Sequence, residues 1–235
     1  MALSFSRPFV ILAEGRHEVH FISSLIKVRA LPEFQVFCPQ DVLAADGEVH
    51  FRGGGRSGFA DFLNGAPAMD NFASVRGILI LSDNDDDPAA SFQQVVDIVE
   101  RADPIDPFAQ PLRRFLAAPG QLVKSASNPS IVIMMIPTAG AAGALETLCL
   151  EAAARANPAT MACVEQFAEC SNISNWTRSK QDKMKLRALI AALHKTNPDL
   201  SLASLWDKNP DLIPLNDAAF TPIADVLAGF EAMLA

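Results

Sequence analysis

The stretch Gly77-Ile78-Leu79-Ile80-Leu81-Ser82-Asp83-Asn84-Asp85-Asp86-Asp87-Pro88 decides the fold. Its first five residues carry no polar side chain, which suits a strand buried on both faces of a sheet. The run ends in a dense acidic turn, and over 89–101 the pattern is helical. An earlier segment repeats this unit. Phe9-Val10-Ile11-Leu12-Ala13 closes on Glu14-Gly15, after which Val19, Phe21, Ile22, Leu25 and Ile26 recur at helical spacing. A third apolar run, Ile131-Val132-Ile133-Met134-Met135-Ile136, is closed by Pro137. Strands alternating with helices predict an α/β, Rossmann-like fold: a mostly parallel sheet flanked by helices, with ligands at the carboxyl ends of the strands.

Phe34-Gln35-Val36-Phe37 and Glu48-Val49-His50-Phe51 read as short strands, and 57–63 as a short helix. Residues 103–128 hold Pro104, Pro107, Pro111 and Pro119 with little periodicity, as a long loop or irregular hairpin would. Beyond Pro137 the strand signal stops, and 143–156, 159–168, 180–193 and 218–234 all read as helices. The expected division is an α/β core over 1–137 and a helical C-terminal part over 138–235, packed on the core and completing its site.

At 235 residues, half of them apolar, the chain can bury a substantial core. No apolar run reaches the roughly 18–20 residues of a membrane span. The N-terminal apolar stretch is too short for a secretion signal, so a cytoplasmic protein with no membrane partner is expected. Cys38, Cys149, Cys163 and Cys170 form no CxxC pair, and buried free thiols are expected in place of disulfides or zinc. His17, His20, His50 and His194 are scattered, and read as partly exposed helix positions. The net charge of −8 argues against non-specific coating of nucleic acid. Yet 176–187 sets Arg178, Lys180, Lys183, Lys185 and Arg187 against one acid, Asp182. Such a stretch is either a solvated helix face or a local phosphate track.

Three apolar strands end near acidic residues: Glu14 after the first, Asp83 and Asp85 after the middle one, and Glu146 ten residues beyond the last. Glu18 stands one helical turn after Glu14, so both carboxylates can face one point. Crowded carboxylates raise one another's pKa, which makes the set reasonable mainly where a divalent cation offsets the charge. All-oxygen ligands favour Mg²⁺ or Mn²⁺. Acidic residues also cap helix N-termini, and capping accounts for Asp86 and Asp87 at least as well as metal binding does.

The strand ending Ala13-Glu14-Gly15 with Glu18 following, and the later strand ending Asp83-Asn84-Asp85, resemble the glutamate and DxD motifs of the Toprim domain in order and placement. Gly143-Ala144-Leu145-Glu146 is similar to the Gly-x-Leu-Glu region of small stand-alone Toprim proteins related to the OLD (overcoming-lysogenization-defect) nucleases. Lys180-Gln181-Asp182-Lys183 resembles the lysine-bearing helix that follows there. The resemblance implies a Toprim-like core with Glu14 as general acid/base and Asp83 and Asp85 holding Mg²⁺. It implies that Glu18 and Glu146 complete a second metal position and that Lys180 or Lys183 steadies a phosphate. Arg178, Lys185 and Arg187 are then expected to guide more distant phosphates. Asp87 extends the pattern to DxDxD, but Pro88 departs from the usual glycine. The full-length nucleases carry an ATPase part, whereas no phosphate-binding GxxxxGK[ST] loop occurs here, and Gly53-Gly54-Gly55-Arg56-Ser57 lacks its lysine. Transient strand cleavage of topoisomerase type needs a tyrosine, and the chain has none.

Two functions follow as expectations. One is a metal-dependent nuclease or related phosphotransfer enzyme acting on DNA or RNA. The other is a nucleic-acid-binding or regulatory Toprim module that needs a protein partner, such as a separate ATPase, for activity.

Overall fold

The computed structural model describes residues 4–40, 55–102, 123–124, 129–138 and 140–234. Strand β1 (Phe9–Ala13) leads through helix α1 (Arg16–Val28) to β2 (Gln35–Phe37). Helix α2 (Ser57–Gly65) precedes β3 (Gly77–Asp83), and α3 (Pro88–Arg101) follows it. β4 (Val123–Lys124) and β5 (Ser130–Ile136) complete a sheet of order β2-β1-β3-β5-β4. The first four strands in that order run parallel, and β4 pairs antiparallel with β5 at the edge. The chain adds β2 on one side of β1 and β3 on the other, so the topological switch point lies between β1 and β3.

Period-two alternation divides the core between the faces of this sheet. Val10, Leu12, Ile78, Ile80, Ile131, Ile133 and Met135 join Phe59 and Phe62 of α2 and Val95 of α3. Ile11, Leu79, Leu81, Val132, Met134 and Ile136 face the other way, onto α1 and the C-terminal helices. Each such side chain contributes about 1.5–3 kcal/mol on full burial, which is why these runs tolerate no polar interruption.

Past β5 the described structure is helical: α4 (Leu145–Ala156), α5 (Pro158–Cys170), α6 (Arg178–Leu193), α7 (Leu202–Lys208) and α8 (Thr221–Leu234). Aromatic contacts bind this part to β1 and α1. Phe230 of α8 meets the Phe9 ring edge-on at 5.6 Å, and Trp206 and Phe220 lie 5.6 and 5.1 Å from Phe21. The first of these helices begins at Leu145, two residues after the expected start, because Gly143 has a positive φ and Ala144 is extended. Helix α7 has no counterpart in the sequence reading. Glu48-Val49-His50-Phe51 and most of 103–128 lie outside the described residues. Cys38 and Cys149 are buried, but Cys163 and Cys170 are exposed on α5, which corrects the expectation of four buried thiols. No helix among the described residues is long and apolar enough to cross a membrane.

Candidate functional site

Strand register decides which side chains meet. Ala13 pairs with Leu81, and Asp83 with Ile136, so the carboxyl ends of β1, β3 and β5 lie side by side. Glu14 leaves the end of β1 as Asp83 closes β3, at the switch point. The Leu145 amide, first in α4, donates to Asp83 Oδ1 at 3.0 Å. The connection is held in place from below: Gly143 N donates to the Asp85 carbonyl at 2.6 Å, and Asn84 Nδ2 donates to the Pro137 and Ala141 carbonyls at 2.5 and 2.8 Å. Asp85 takes a φ of 50°, a left-handed conformation that Asp tolerates better than most residues. Glu146, next after Leu145, is thereby brought to the same edge. Glu18 arrives from the first turn of α1.

Glu18, Asp83 and Glu146 are each only 8% exposed. Burial first, then the neighbouring Glu146 and Glu14, push the Glu18 carboxyl up to about 7. Burial, followed by Glu18, Glu14 and Glu146, holds Asp83 well above the usual carboxylate range. Glu146 Oε2 is buried without a hydrogen-bond partner among the described residues. Cys149 lies beneath the cluster, its thiol pushed up by burial and then by Glu146, Glu18 and Asp83.

Arg56 enters this edge from just before α2. Its Nε donates to Ser82 Oγ at 2.8 Å and to Glu14 Oε2 at 3.2 Å, and Nη1 donates to Gln94 Oε1 at 3.0 Å. Nη2 reaches Asp85 Oδ2 at 2.7 Å and the Asp83 carbonyl. Ser82 Oγ also donates to Glu14 Oε2, at 2.5 Å. The bonds to Glu14 all fall on Oε2, leaving its Oε1 without a hydrogen-bond partner among the described residues. Sequence reading met Arg56 only as the place where a phosphate loop lacks its lysine.

Asp86 and Asp87 both act as caps. Asp87 Oδ1 accepts from Ala90 N at 3.0 Å at the start of α3, whereas Asp86 Oδ1 accepts from Ser179 N at 3.1 Å and caps α6. The basic stretch divides into two groups. Arg178 Nε donates to Asp182 Oδ2 at 2.9 Å, and that oxygen also accepts from Thr147 Oγ1 at 2.6 Å, joining α6 to α4. Lys185 Nζ pairs with Glu165 Oε2 at 2.7 Å. Lys180, Lys183 and Arg187 are exposed and make no ion pair among the described residues. Lys183 and Arg187 line a pocket with Glu146 and His17. His17 is half-buried and its pKa is lowered, by burial first; Glu146 opposes the shift, and Lys183 and Arg187 reinforce it.

The structure thus brings Glu14, Glu18, Asp83 and Glu146 to one edge and joins Asp85 to it through Arg56. Among the described residues no three His, Cys, Asp or Glu side chains are arranged so that together they could hold a metal ion as they stand. The hard donors nearest to such a role are Glu18, Asp83 and Glu146, two of them pushed toward neutrality and the third with a buried oxygen unpartnered among the described residues.

A family model described as Protein of unknown function (DUF3226) matches residues 8–221, a span that holds every group named above. No curated protein and no solved structure matches the chain.

Proposed function

We propose that this chain, which belongs to the DUF3226 family, is a Mg²⁺- or Mn²⁺-dependent phosphodiesterase of Toprim type acting on DNA or RNA. The reading is carried by Glu18, Asp83 and Glu146, which are buried together and make no ion pair among the described residues. Buried side by side, these carboxyls must take up protons or a cation to escape the cost of uncompensated charge, and a purely structural role gives no reason to place them there. Helix dipoles favour Glu18 and Glu146 in their first turns, but by about 0.3–1 kcal/mol each, too little to offset that cost.

Glu18, Asp83 and Glu146, with Asp85 beside them, would hold Mg²⁺ or Mn²⁺, which when bound would supply Lewis acidity for attack by water on a phosphodiester. Glu14, clamped through Oε2 by Ser82 and Arg56, keeps Oε1 to accept or deliver a proton as the general acid/base. Lys183, with Lys180 and Arg187 beside it, offsets the charge of the incoming phosphate. No side-chain nucleophile is needed.

The test is incubation of purified protein with labelled DNA and RNA in Mg²⁺, Mn²⁺ and EDTA. Cleavage that requires the cation and is lost in Asp83→Asn is the expected result. Folded protein that binds metal but cuts neither polymer would replace this reading with the partner-dependent module.

A further inference from the structure

α6 sorts its cations. Arg178 and Lys185 are taken up by Asp182 and Glu165, while Lys180, Lys183 and Arg187 are exposed and line one open groove together with Asn175, Trp176 and Met184. Trp176 is 47% exposed, an unusual state for so large an aromatic side chain. Its backbone is nevertheless fixed: its amide donates to the Ile173 carbonyl at 2.9 Å, and its own carbonyl accepts from Gln181 Nε2 at 2.8 Å. The backbone that carries the indole is therefore fixed at the start of α6, while about half of the residue stays exposed. Lys180 and Lys183 follow along the helix, about 4.5 Å of rise apart. Lys183, Met184 and Arg187 also line the pocket that holds Glu146 and His17, so the groove continues into the acidic site.

From this juxtaposition we infer that the groove binds a single strand of nucleic acid, with one base stacked on Trp176 and the backbone running along Lys180, Lys183 and Arg187 to the acidic cluster. Three cations without ion-pair partners among the described residues call for an anionic occupant. A uniformly charged ligand has no use for an indole, whereas a base presents a flat π-face to it. In a duplex those faces are stacked on one another, so the groove selects single strands or unpaired ends. The inference rests on the nucleic-acid reading of the acidic site.

The test uses the whole chain in EDTA, with cleavage silent, titrated with a single-stranded oligonucleotide, its duplex and inorganic polyphosphate. Tryptophan emission reports directly, because the only other tryptophan, Trp206, is 6% exposed and its indole N–H is bound to the Ile213 carbonyl. The single strand is expected to quench emission and to bind at least tenfold more tightly than duplex or polyphosphate. Trp176→Ala should weaken single-strand binding about tenfold, the scale of one lost base stack, and Trp176→Phe should restore most of it. Unchanged emission, equal affinity for polyphosphate or duplex, or full affinity in Trp176→Ala would overturn the inference. Cleavage in Mn²⁺, measured in parallel, keeps the two ideas apart. Cutting without any Trp176 effect sinks the groove and leaves the phosphodiesterase, whereas quenching without cutting supports the groove and removes the phosphodiesterase.

Discussion

The backbone amide of Leu145 donates to Asp83 Oδ1 at 3.0 Å, so the first turn of α4 is fastened to the last residue of β3 across 62 positions of chain. That bond depends on the bend before it. Gly143 has a φ of +135°, and a Cβ there would lie 2.3 Å from Thr147 Oγ1, the atom that joins α4 to Asp182. Gly143→Ala should therefore destabilise the protein by about 1–2 kcal/mol or more from backbone strain. That is a fall in Tm of at least roughly 2–8 °C at this chain length. It should also displace Glu146. A variant that melts and cuts like the wild type would show that the bend does not position the site.

Metal should stabilise the native chain by mass action. At a cation concentration a hundredfold above Kd the gain is about 2.7 kcal/mol, or roughly 5–10 °C in Tm. Asp83→Asn with Asp85→Asn should abolish it. If the double variant responds to Mn²⁺ as the wild type does, these aspartates are not ligands.

Burial gives the metal-free protein a pH signature. An isolated Glu18 carboxyl ionises near 4.5, but in the folded chain it does so at about 7. Between those values the native state holds a proton that the unfolded chain has lost, so stability is highest below 4.5 and declines as pH rises through about 7. Asp83 acts in the same direction. In EDTA, Glu18→Gln should gain on the wild type as pH climbs across that window, and saturating Mn²⁺ should reverse the difference. A pH-independent gap between the two melting curves would contradict the buried-cluster account.

The sheet was legible because β1, β3 and β5 are continuous apolar runs that end at Glu14, Asp83 and Pro137, and both faces of the sheet are covered. The positions of the carboxylates at strand ends follow from the same pattern. Arg56 was not legible. Its partners Glu14, Asp83 and Asp85 lie 42, 27 and 29 residues away, and nothing in its own neighbourhood signals them. Asp86 reads locally as a cap for α3, yet it caps a helix 93 residues on, since only the folded turn shows which N-terminus is within reach. Helix α7 spans seven residues, too few for its apolar Leu202, Leu205 and Trp206 to establish a period. Likewise, which cations of α6 stay unpaired depends on Glu165 and Asp182, whose contacts with Lys185 and Arg178 only packing and the helix turn define.

Arg56 should be the main cation holding this edge together before metal binds. Removing one partner of a buried ion pair costs about 3–5 kcal/mol, and less where, as with Asp85 at 43% exposure, water can take over. Arg56→Ala should lower Tm by several degrees in EDTA, and Mn²⁺ should recover part of the loss. Arg56→Lys should not rescue it, because one ammonium cannot span Glu14, Ser82, Gln94 and Asp85 at once. Arg56→Ala as stable as the wild type would remove the guanidinium from the account of the site.

The cations of α6 that are paired among the described residues and those that are not should separate in kinetics. Lys183 shares a pocket with Glu146, so its ammonium is placed to meet charge developing on a phosphate at the acidic edge. Loss of one such preorganised group typically lowers kcat on the order of 10²-fold, and Lys183→Ala should fall near that value with the protein still folded. Arg187 lines the same pocket from one turn further along the helix, where a more distant phosphate would pass. Arg187→Ala should mainly weaken binding and reduce the slope of log K against log salt by about one unit. Lys185 is the internal control: its side chain is 18% exposed and its ammonium is held by Glu165, so its replacement should change turnover and salt slope little and stability by no more than about 1 kcal/mol. Binding isotherms at several salt concentrations and single-turnover cleavage distinguish the three variants. If Lys185→Ala matched Arg187→Ala, or Lys183→Ala turned over at the wild-type rate, the division of α6 into engaged and free cations would have no functional meaning, and the helix would be an ordinary solvated face.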